Sequence, residues 1–269
     1  MNTLQRYYKQ SATYKVFQTL FEMFGDFLDT LGKITQNGIH VVKCIFKDGV
    51  NKHELIEQCS RFGISSLPIT LSIVSMTSVI IASQVALEMV KQGGGNFIGL
   101  MMAILTVREM AVIMAGFAII SMIGSSLASE LATMRVTEQI DAMTVLKVDP
   151  VGNLFIPRVL SGMIMMPFVT IISATVGLLA GAVTSDLFAG LSYKAYFDSV
   201  WLGIYMKDLW VCLAKAVCFG GTIALISCSC GFYASGGAKG VGLATTKAVV
   251  WSFVAIVIWD MLFATAFFF

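Results

Sequence analysis

The 269-residue chain is too apolar and too weakly charged for a soluble protein. Its 18 Lys and Arg and 16 Asp and Glu make 13% charged residues, whereas soluble domains carry about a quarter. The composition therefore excludes a disordered chain, a secreted disulfide scaffold and a nucleic-acid-binding module, and a net charge of +2 indicates no polyanionic partner. It predicts an all-α integral membrane protein.

Residues 1–63 are more polar and form the predicted N-terminal region, which holds 14 of the 34 charges. Apolar residues recur there at three- and four-residue steps, a pattern that predicts an amphipathic helix. They are Phe17, Leu20, Phe21, Phe24, Phe27, Leu28, Leu31 and Ile34. We interpret this helix as lying along the cytoplasmic membrane surface, with a soluble packing helix as the alternative. Residues 51–62 predict a short polar helix that leads into the first span.

Residues 64–269 form the predicted transmembrane domain. Five apolar stretches are long enough to cross the hydrocarbon layer, which takes about 20 residues. They are residues 64–90, 97–129, 159–183, 209–230 and 248–269. The second stretch would be about 50 Å long as a straight helix, so it must tilt, protrude or break.

Lysine and arginine counts in the connecting segments predict the orientation, because positive residues concentrate on the cytoplasmic side. Segments 1–63, 130–158 and 231–247 carry 13 basic residues, while loops 91–96 and 184–208 carry 3. The N-terminus is therefore predicted to be cytoplasmic and the C-terminus external.

The sequence after the second span predicts an amphipathic helix over residues 130–147. Val136, Ile140 and Met143 form one narrow apolar ridge, and Pro150 ends the helix. Such a helix could dock into a groove of a soluble partner, or it could be a solvated connector. Polar residues on the rest of its surface are Arg135, Glu138, Gln139 and Asp141.

The glycine-rich segment 231–247 does not match a nucleotide-binding loop. Lys239 is followed by Gly240, so the Gly-Lys-Ser/Thr of a Walker A loop is absent, and Thr245 stands where a dinucleotide fingerprint needs glycine. We expect these glycines to serve tight turns and close packing, with no cofactor bound by this chain.

No catalytic or metal site is predicted. His40 and His53 are the only histidines, and the six cysteines show no zinc-type spacing. The spans contain no histidine and no hydrolase motif, which argues against an intramembrane enzyme.

Four ionisable residues lie inside predicted spans, where charge is costly and normally faces a partner or a wet cavity. They are Arg108, Glu109, Lys215 and Asp260. Neighbours on a helix point about 100° apart, so Arg108 and Glu109 need different partners. Glu109–Lys215 or Arg108–Asp260 pairs could form a structural network, and Lys215 could instead extend toward the external surface. Alternatively, the four residues could form a polar lining for the head group of an amphiphile.

Two long motifs resemble those of the MlaE/YrbE permease family. The first combines Arg108-Glu109 in a span with Glu130-Leu131, residues 134–142 (MRVTEQIDA) and Val148-Asp149-Pro150. The second is residues 236–250, GGAKGVGLATTKAVV. The likeness runs from about residue 60 to the C-terminus and includes Lys215 and Asp260.

The resemblance implies a non-catalytic, homodimeric permease subunit of an ABC transporter in the bacterial inner membrane, moving phospholipid or related lipids between inner and outer membranes. A separate cytoplasmic ATPase would bind ATP and Mg and contact a coupling helix after the second span. An MCE-domain protein would bind the external face, and a small STAS-type cytoplasmic subunit is a further candidate partner. Arg135, Glu138, Gln139 and Asp141 would then face the ATPase, and the four span charges would line the lipid path or its supporting network.

The chain departs from the family pattern at two places. Met110-Ala111-Val112 follows Arg-Glu where the family has Leu-Gly-Pro, and Ser121-Met122 replaces a Gly-Arg. The alternative function is an ion- or proton-coupled secondary carrier using Glu109, Lys215 and Asp260. Such a carrier predicts inverted repeats with broken helices, and the sequence shows no such symmetry.

Overall fold

The computed structural model describes residues 12–47 and 52–268, and within these ranges the chain consists of helices joined by short turns, with no strand. Five helices are long and apolar enough to cross a membrane, which confirms the predicted all-α membrane fold. We number them spans 1 to 5: Lys52–Lys91, Gly95–Val136, Pro150–Ala189, Met206–Phe232 and Gly237–Phe267.

Span 1 begins as the polar helix that the sequence predicts over residues 51–62. Helix Lys52–Ser60 passes through a π-helical turn, Arg61–Ser65, into the apolar helix Leu67–Lys91. Pro68 lies in the first turn of that helix, where a missing N–H costs no intrahelical hydrogen bond.

Span 2 is the longest, with 42 residues, and would extend about 60 Å as a regular helix, twice the hydrocarbon thickness. It neither stops nor breaks within the apolar stretch. Instead it changes geometry at two π-helical turns and continues beyond the predicted end at residue 129. Its parts are Gly95–Phe97, Ile98–Leu105, Thr106–Met110 (π), Ala111–Ile119, Ile120–Gly124 (π) and Ser125–Val136.

Two shorter helices connect the spans at opposite ends of the bundle. Gln139–Val145, the short helix, joins spans 2 and 3, and Tyr193–Gly203 joins spans 3 and 4. We call the two ends of the molecule the short-helix end and the opposite end. Span 3 ends at Gly190, whose φ of +62° is left-handed and suits glycine.

Asp149 caps the start of span 3 at the short-helix end. Its carboxylate accepts hydrogen bonds from the amides of Val151 and Gly152, at 3.2 and 3.1 Å, which satisfies two free donors of the first turn. Burial alone would raise the pKa of Asp149, but hydrogen bonds from His40, Cys44 and the Gly152 amide outweigh it, so the pKa of this carboxyl lies below its ordinary value.

The N-terminal helix, Ala12–Lys47, packs against spans 3 and 4 near the short-helix end. Asn37 donates to Ser229 Oγ of span 4 at 3.1 Å, while Leu28 and Leu31 are exposed. The predicted stripe residues whose side chains lie outside the described part of the chain are Phe17, Leu20, Phe21, Phe24 and Phe27. The predicted helix is therefore present, and the interfacial position remains a prediction.

Spans 2 and 4 form the centre of the bundle. In their most apolar stretches 61% and 56% of residues are buried, against 22%, 28% and 17% in spans 1, 3 and 5. The core includes Ile119 of span 2, Met166 of span 3 and Phe219 of span 4, all with 0% exposure. The outer spans leave apolar side chains uncovered, as expected for faces that contact lipid or another apolar surface.

Replacing Gly220 by Ala is expected to force spans 3 and 4 apart. A Cβ built at Gly220 would lie 2.1 Å from the carbonyl oxygen of Gly162, and backbone cannot yield as a flexible side chain does. Overpacking costs about 1–3 kcal/mol and occasionally more, so we expect a loss of at least this size in thermal unfolding in mild detergent. Gly25→Ala is the control, because nothing lies within 4 Å of a Cβ there. An unchanged melting temperature for Gly220→Ala would contradict this packing.

Candidate functional site

A fully buried lysine of span 4 joins three spans through its ammonium group. The Lys215 side chain is 0% exposed, and its Nζ lies 2.8 Å from Asp260 Oδ1 of span 5 and 3.1 Å from Glu109 Oε2 of span 2. Nζ also donates to the main-chain oxygen of Arg108 at 3.0 Å. All three ammonium donors therefore have partners in the protein. The alternative in which Lys215 extends toward the membrane surface is wrong.

Arg108 forms a second ion pair beside the first. Its Nε and Nη2 atoms each lie 2.9 Å from Asp208 Oδ2, and the Asp208 side chain is only 4% exposed. The ring of Phe268 lies over the guanidinium, with 4.6 Å between Cζ and the ring centroid, and 5.7 Å from Lys215 Nζ. A cation over an aromatic face is attracted by the ring quadrupole, so Phe268 stabilises both positive groups.

The predicted Arg108–Asp260 pair does not form, whereas the Glu109–Lys215 pair does. Asp260 shares Lys215 with Glu109, and Arg108 turns to Asp208 instead. Asp208 was not among the predicted site residues, because the hydropathy pattern places it in the loop 184–208. The available signal was an acid in the first turn of a span, where carboxylates are favoured by the helix dipole.

A π-helical turn positions these charges. Residues Thr106–Met110 carry both Arg108 and Glu109, and the amide of Ala111 bonds to the Thr106 carbonyl, five residues back. Such turns occur mostly as single insertions in α-helices and are frequent at functional sites. The sequence lacks the family's Gly-Pro here, and the helix widens instead of breaking.

The ion-pair network is closed on one side and open on the other. The Lys215 side chain is fully buried, while the side chains of Arg108, Glu109 and Asp260 are 29%, 36% and 17% exposed. The arrangement can therefore hold spans 2, 4 and 5 together and also present a guanidinium and a carboxylate to a polar group outside. The four residues predicted from sequence do lie in one cluster.

A second network lies at the short-helix end. Arg158 of span 3 is 2% exposed and donates to Glu130 Oε1 of span 2 at 2.8 Å, with Glu54 of span 1 at 3.6 Å. Arg61 of span 1 lies on the other side of this carboxylate, with 2.9 Å between its Nη1 atom and Glu130 Oε2. These ion pairs connect spans 1, 2 and 3 at the short-helix end. The sequence places Arg158 in the connecting segment 130–158, so its ion pairs with Glu130 and Glu54 were not predicted.

The predicted helix over residues 130–147 is divided in two. Span 2 continues to Val136, the chain reverses at Glu138, whose φ of +61° is uncommon for a residue other than glycine, and the short helix follows. Two of the three residues of the predicted docking ridge face inward, because Ile140 is 1% exposed and Met143 packs on the core, whereas Val136 is exposed. Ile140 and Met143 therefore pack inside the permease, and of this ridge only Val136 lies on the surface.

The outer surface of the short helix carries other residues. Glu138, Gln139 and Asp141 are exposed, and Arg135 pairs with Asp141 across the chain reversal. The apolar residues that do face outward are Val145 and Leu146, at 82% and 74% exposure. The short helix therefore combines polar groups with an exposed apolar pair.

The glycine-rich segment between spans 4 and 5 forms a tight turn. Gly236 and Gly237 have φ values of +94° and +67°, and a Cβ at Gly240 would lie 1.9 Å from the Ser235 carbonyl oxygen. These positions require glycine for backbone conformation and close approach, as the sequence predicts.

Comparisons with known proteins agree with this architecture. The permease MlaE family model matches residues 55–266. A probable ABC transporter permease of Synechocystis is 36% identical over 214 residues, 80% of this chain and 81% of the relative. A probable ABC transporter permease of Rickettsia conorii is 32% identical over 242 residues, 90% and 93% of the two chains. The chloroplastic protein TRIGALACTOSYLDIACYLGLYCEROL 1 of Arabidopsis thaliana is 35% identical over 228 residues, 85% and 65% of the two chains.

The five membrane-length helices and the ion pairs between them define a multi-pass membrane protein with paired charges inside its spans. The chain belongs to the MlaE family of ABC transporter permeases, which confirms the resemblance seen in its motifs. Membership implies a partner ATPase, since permeases of this class work with a separate ATP-hydrolysing subunit.

Proposed function

We propose that this chain is the permease through which an ATP-driven transporter moves phospholipid or related lipids between the inner and outer membranes of a bacterium. The observation that carries the proposal is the half-open network of Arg108, Glu109, Lys215 and Asp260 inside the spans. Charged groups at membrane depth are costly and commonly mark a substrate path. The name of the Arabidopsis relative contains that of a glycolipid, which supports a lipid substrate.

The short-helix end is assigned to the cytoplasm and the C-terminus to the periplasm, in line with the distribution of basic residues. The cytoplasmic ATPase would hold ATP and Mg and contact the short helix through Glu138, Gln139 and its apolar surface. A second copy of the chain, an MCE-domain protein at the opposite end and a small STAS-type subunit complete the proposed assembly.

The mechanism follows from how the short helix is attached. Closure of the ATPase dimer would push on Gln139–Val145, which short turns join to spans 2 and 3. The Arg158–Glu130–Arg61 network would carry this displacement into spans 1 to 3 as a unit, because its ion pairs cross all three. A lipid cavity between two copies, lined by spans 1, 2 and 5, would then change shape.

Purification of the chain with its co-purifying proteins, followed by reconstitution into phospholipid vesicles, tests the proposal. We expect an ABC ATPase and bound lipid in the preparation, and movement of labelled phospholipid that requires ATP. Transport by the chain alone, driven by a proton or ion gradient, would instead support the secondary carrier using Glu109, Lys215 and Asp260.

Glu138→Lys is expected to weaken the contact with the ATPase by about tenfold or more, because it reverses an exposed charge in the proposed interface. ATPase recovered in pull-downs and lipid-stimulated hydrolysis measure the effect. Glu88→Lys, an exposed acid at the opposite end, is the matched control and should leave both unchanged. Normal pull-down and hydrolysis for Glu138→Lys would show that this residue lies outside the interface.

A further inference from the structure

Three metal-ligating side chains meet where the N-terminal helix crosses the start of span 3. His40 and Cys44 lie one turn apart on the N-terminal helix, and Asp149 caps span 3. His40 Nε2 is 2.8 Å from Asp149 Oδ2, and Cys44 Sγ is 3.4 Å from the same oxygen. The three ligand atoms all lie within 4.8 Å of one another.

Two of the three separations between ligand atoms are close to those of a tetrahedral zinc site. Zinc bonds of about 2.3 Å to sulfur and about 2.0–2.1 Å to nitrogen and oxygen place neighbouring ligand atoms about 3.3–3.6 Å apart. The Cys44–Asp149 distance of 3.4 Å already fits, and the His40–Asp149 distance of 2.8 Å needs to open by about 0.5 Å. Half-exposed His40 and Asp149 leave the fourth position open to water.

The donor set selects the kind of ion. Imidazole and thiolate suit zinc and similar transition metals, whereas magnesium and calcium need mostly oxygen ligands. Cys44 is buried, so its sulfur lies on the inner side of the cluster, while His40 and Asp149 face solvent. An ion can therefore enter from the solvent side and reach the sulfur.

We propose that His40, Cys44 and Asp149 bind a zinc ion that fastens the N-terminal helix to the first turn of span 3. On binding, the Cys44 thiol releases its proton to solvent and the thiolate sulfur coordinates the ion. Asp149 follows the short helix by four residues, so the ion would fix the N-terminal helix to the segment that leads out of the short helix. This site is independent of lipid transport.

Cobalt titration of the full chain, purified in detergent and stripped with a chelator, tests the site. Bound Co²⁺ should give the ligand-field absorption of tetrahedral cobalt and a thiolate-to-cobalt charge-transfer band, and added Zn²⁺ should abolish both. Zn²⁺ should also raise the melting temperature of the stripped protein, since a ligand that binds only the folded state stabilises it.

Single-residue variants distinguish Zn²⁺ binding at this site from Zn²⁺ binding elsewhere on the chain. Cys44→Ser should lose the charge-transfer band. Cys44→Ser, His40→Gln and Asp149→Asn should each weaken Zn²⁺ binding by at least the tenfold to 100-fold or so that the loss of a group supporting a ligand costs. Asn still caps a helix, so Asp149→Asn removes the charged ligand while keeping the cap. Cys59→Ser and His53→Gln are the controls and should bind as the parent protein does. Failure to bind, or equal affinity and spectrum in Cys44→Ser, would overturn the proposal.

Discussion

Lys215→Met is expected to destabilise the protein by about 3–5 kcal/mol, the cost of removing one partner from a buried ion pair. The methionine would leave Glu109 and Asp260 facing each other without the cation that now lies 3.1 and 2.8 Å from them. Spans 2, 4 and 5 would lose their shared contact at the same time. Thermal unfolding in mild detergent, with size-exclusion chromatography after heating, measures the loss.

A variant that lacks the charges of Glu109, Lys215 and Asp260 distinguishes a structural role of the network from a role in lipid transport. Glu109→Gln with Lys215→Met alone would leave Asp260 unpaired, so the informative variant also carries Asp260→Asn. Removing all three charges together leaves no uncompensated buried charge, so this triple variant should recover most of the stability. We expect it to fold and bind the ATPase yet transport lipid poorly. Full transport by the stable triple variant would mean that the network only holds the spans together.

Hydropathy predicts the spans well, because an uninterrupted apolar stretch of about 20 residues has few other uses. It predicts helix ends poorly, since the helices continue beyond most ends of the predicted apolar stretches. Span 2 reaches Val136 and span 3 begins at Pro150, outside the predicted stretches 97–129 and 159–183. The π-helical turns at Thr106–Met110 and Ile120–Gly124 have no local sequence signal, because they depend on how the neighbouring spans pack.

The sequence predicts which charged residues belong to the candidate site, but not which residues they pair with. Lys215 and Asp260 stand out against apolar neighbours, so the sequence identifies them as residues that need partners. Their partners are set by tertiary packing, which brings Asp208 to Arg108 across 100 positions of the chain. The same limit explains why His40, Cys44 and Asp149 escaped notice, since Asp149 lies 105 positions from Cys44.

The apolar pair on the short helix identifies the surface through which force could enter the permease. Val145 and Leu146 are 82% and 74% exposed at the short-helix end, while Ile140 of the same helix is buried. Apolar anchors that fill a pocket on a partner carry much of the energy of an interface. In the proposed assembly the pocket belongs to the ATPase.

Val145→Asp with Leu146→Asp is therefore expected to weaken ATPase association strongly while leaving the permease folded. Burying two new carboxylates in an apolar pocket costs more than the roughly 2 kcal/mol that defines an interface hot spot, so binding should weaken at least about 30-fold. Both side chains are exposed, so the melting temperature of the isolated permease should not change. Pull-down of the ATPase and ATP-dependent lipid movement measure the loss.

Leu187→Asp with Phe188→Asp is the matched control for this prediction. These neighbours are also apolar and exposed, at 76% and 52%, but lie in the last turn of span 3 at the opposite end. The control should retain the ATPase, because its new charges lie far from the short helix. If both pairs of substitutions released the ATPase equally, a general effect of added charge would explain the result. If neither did, Val145 and Leu146 would lie outside the interface, and the apolar pair could not transmit force from the ATPase.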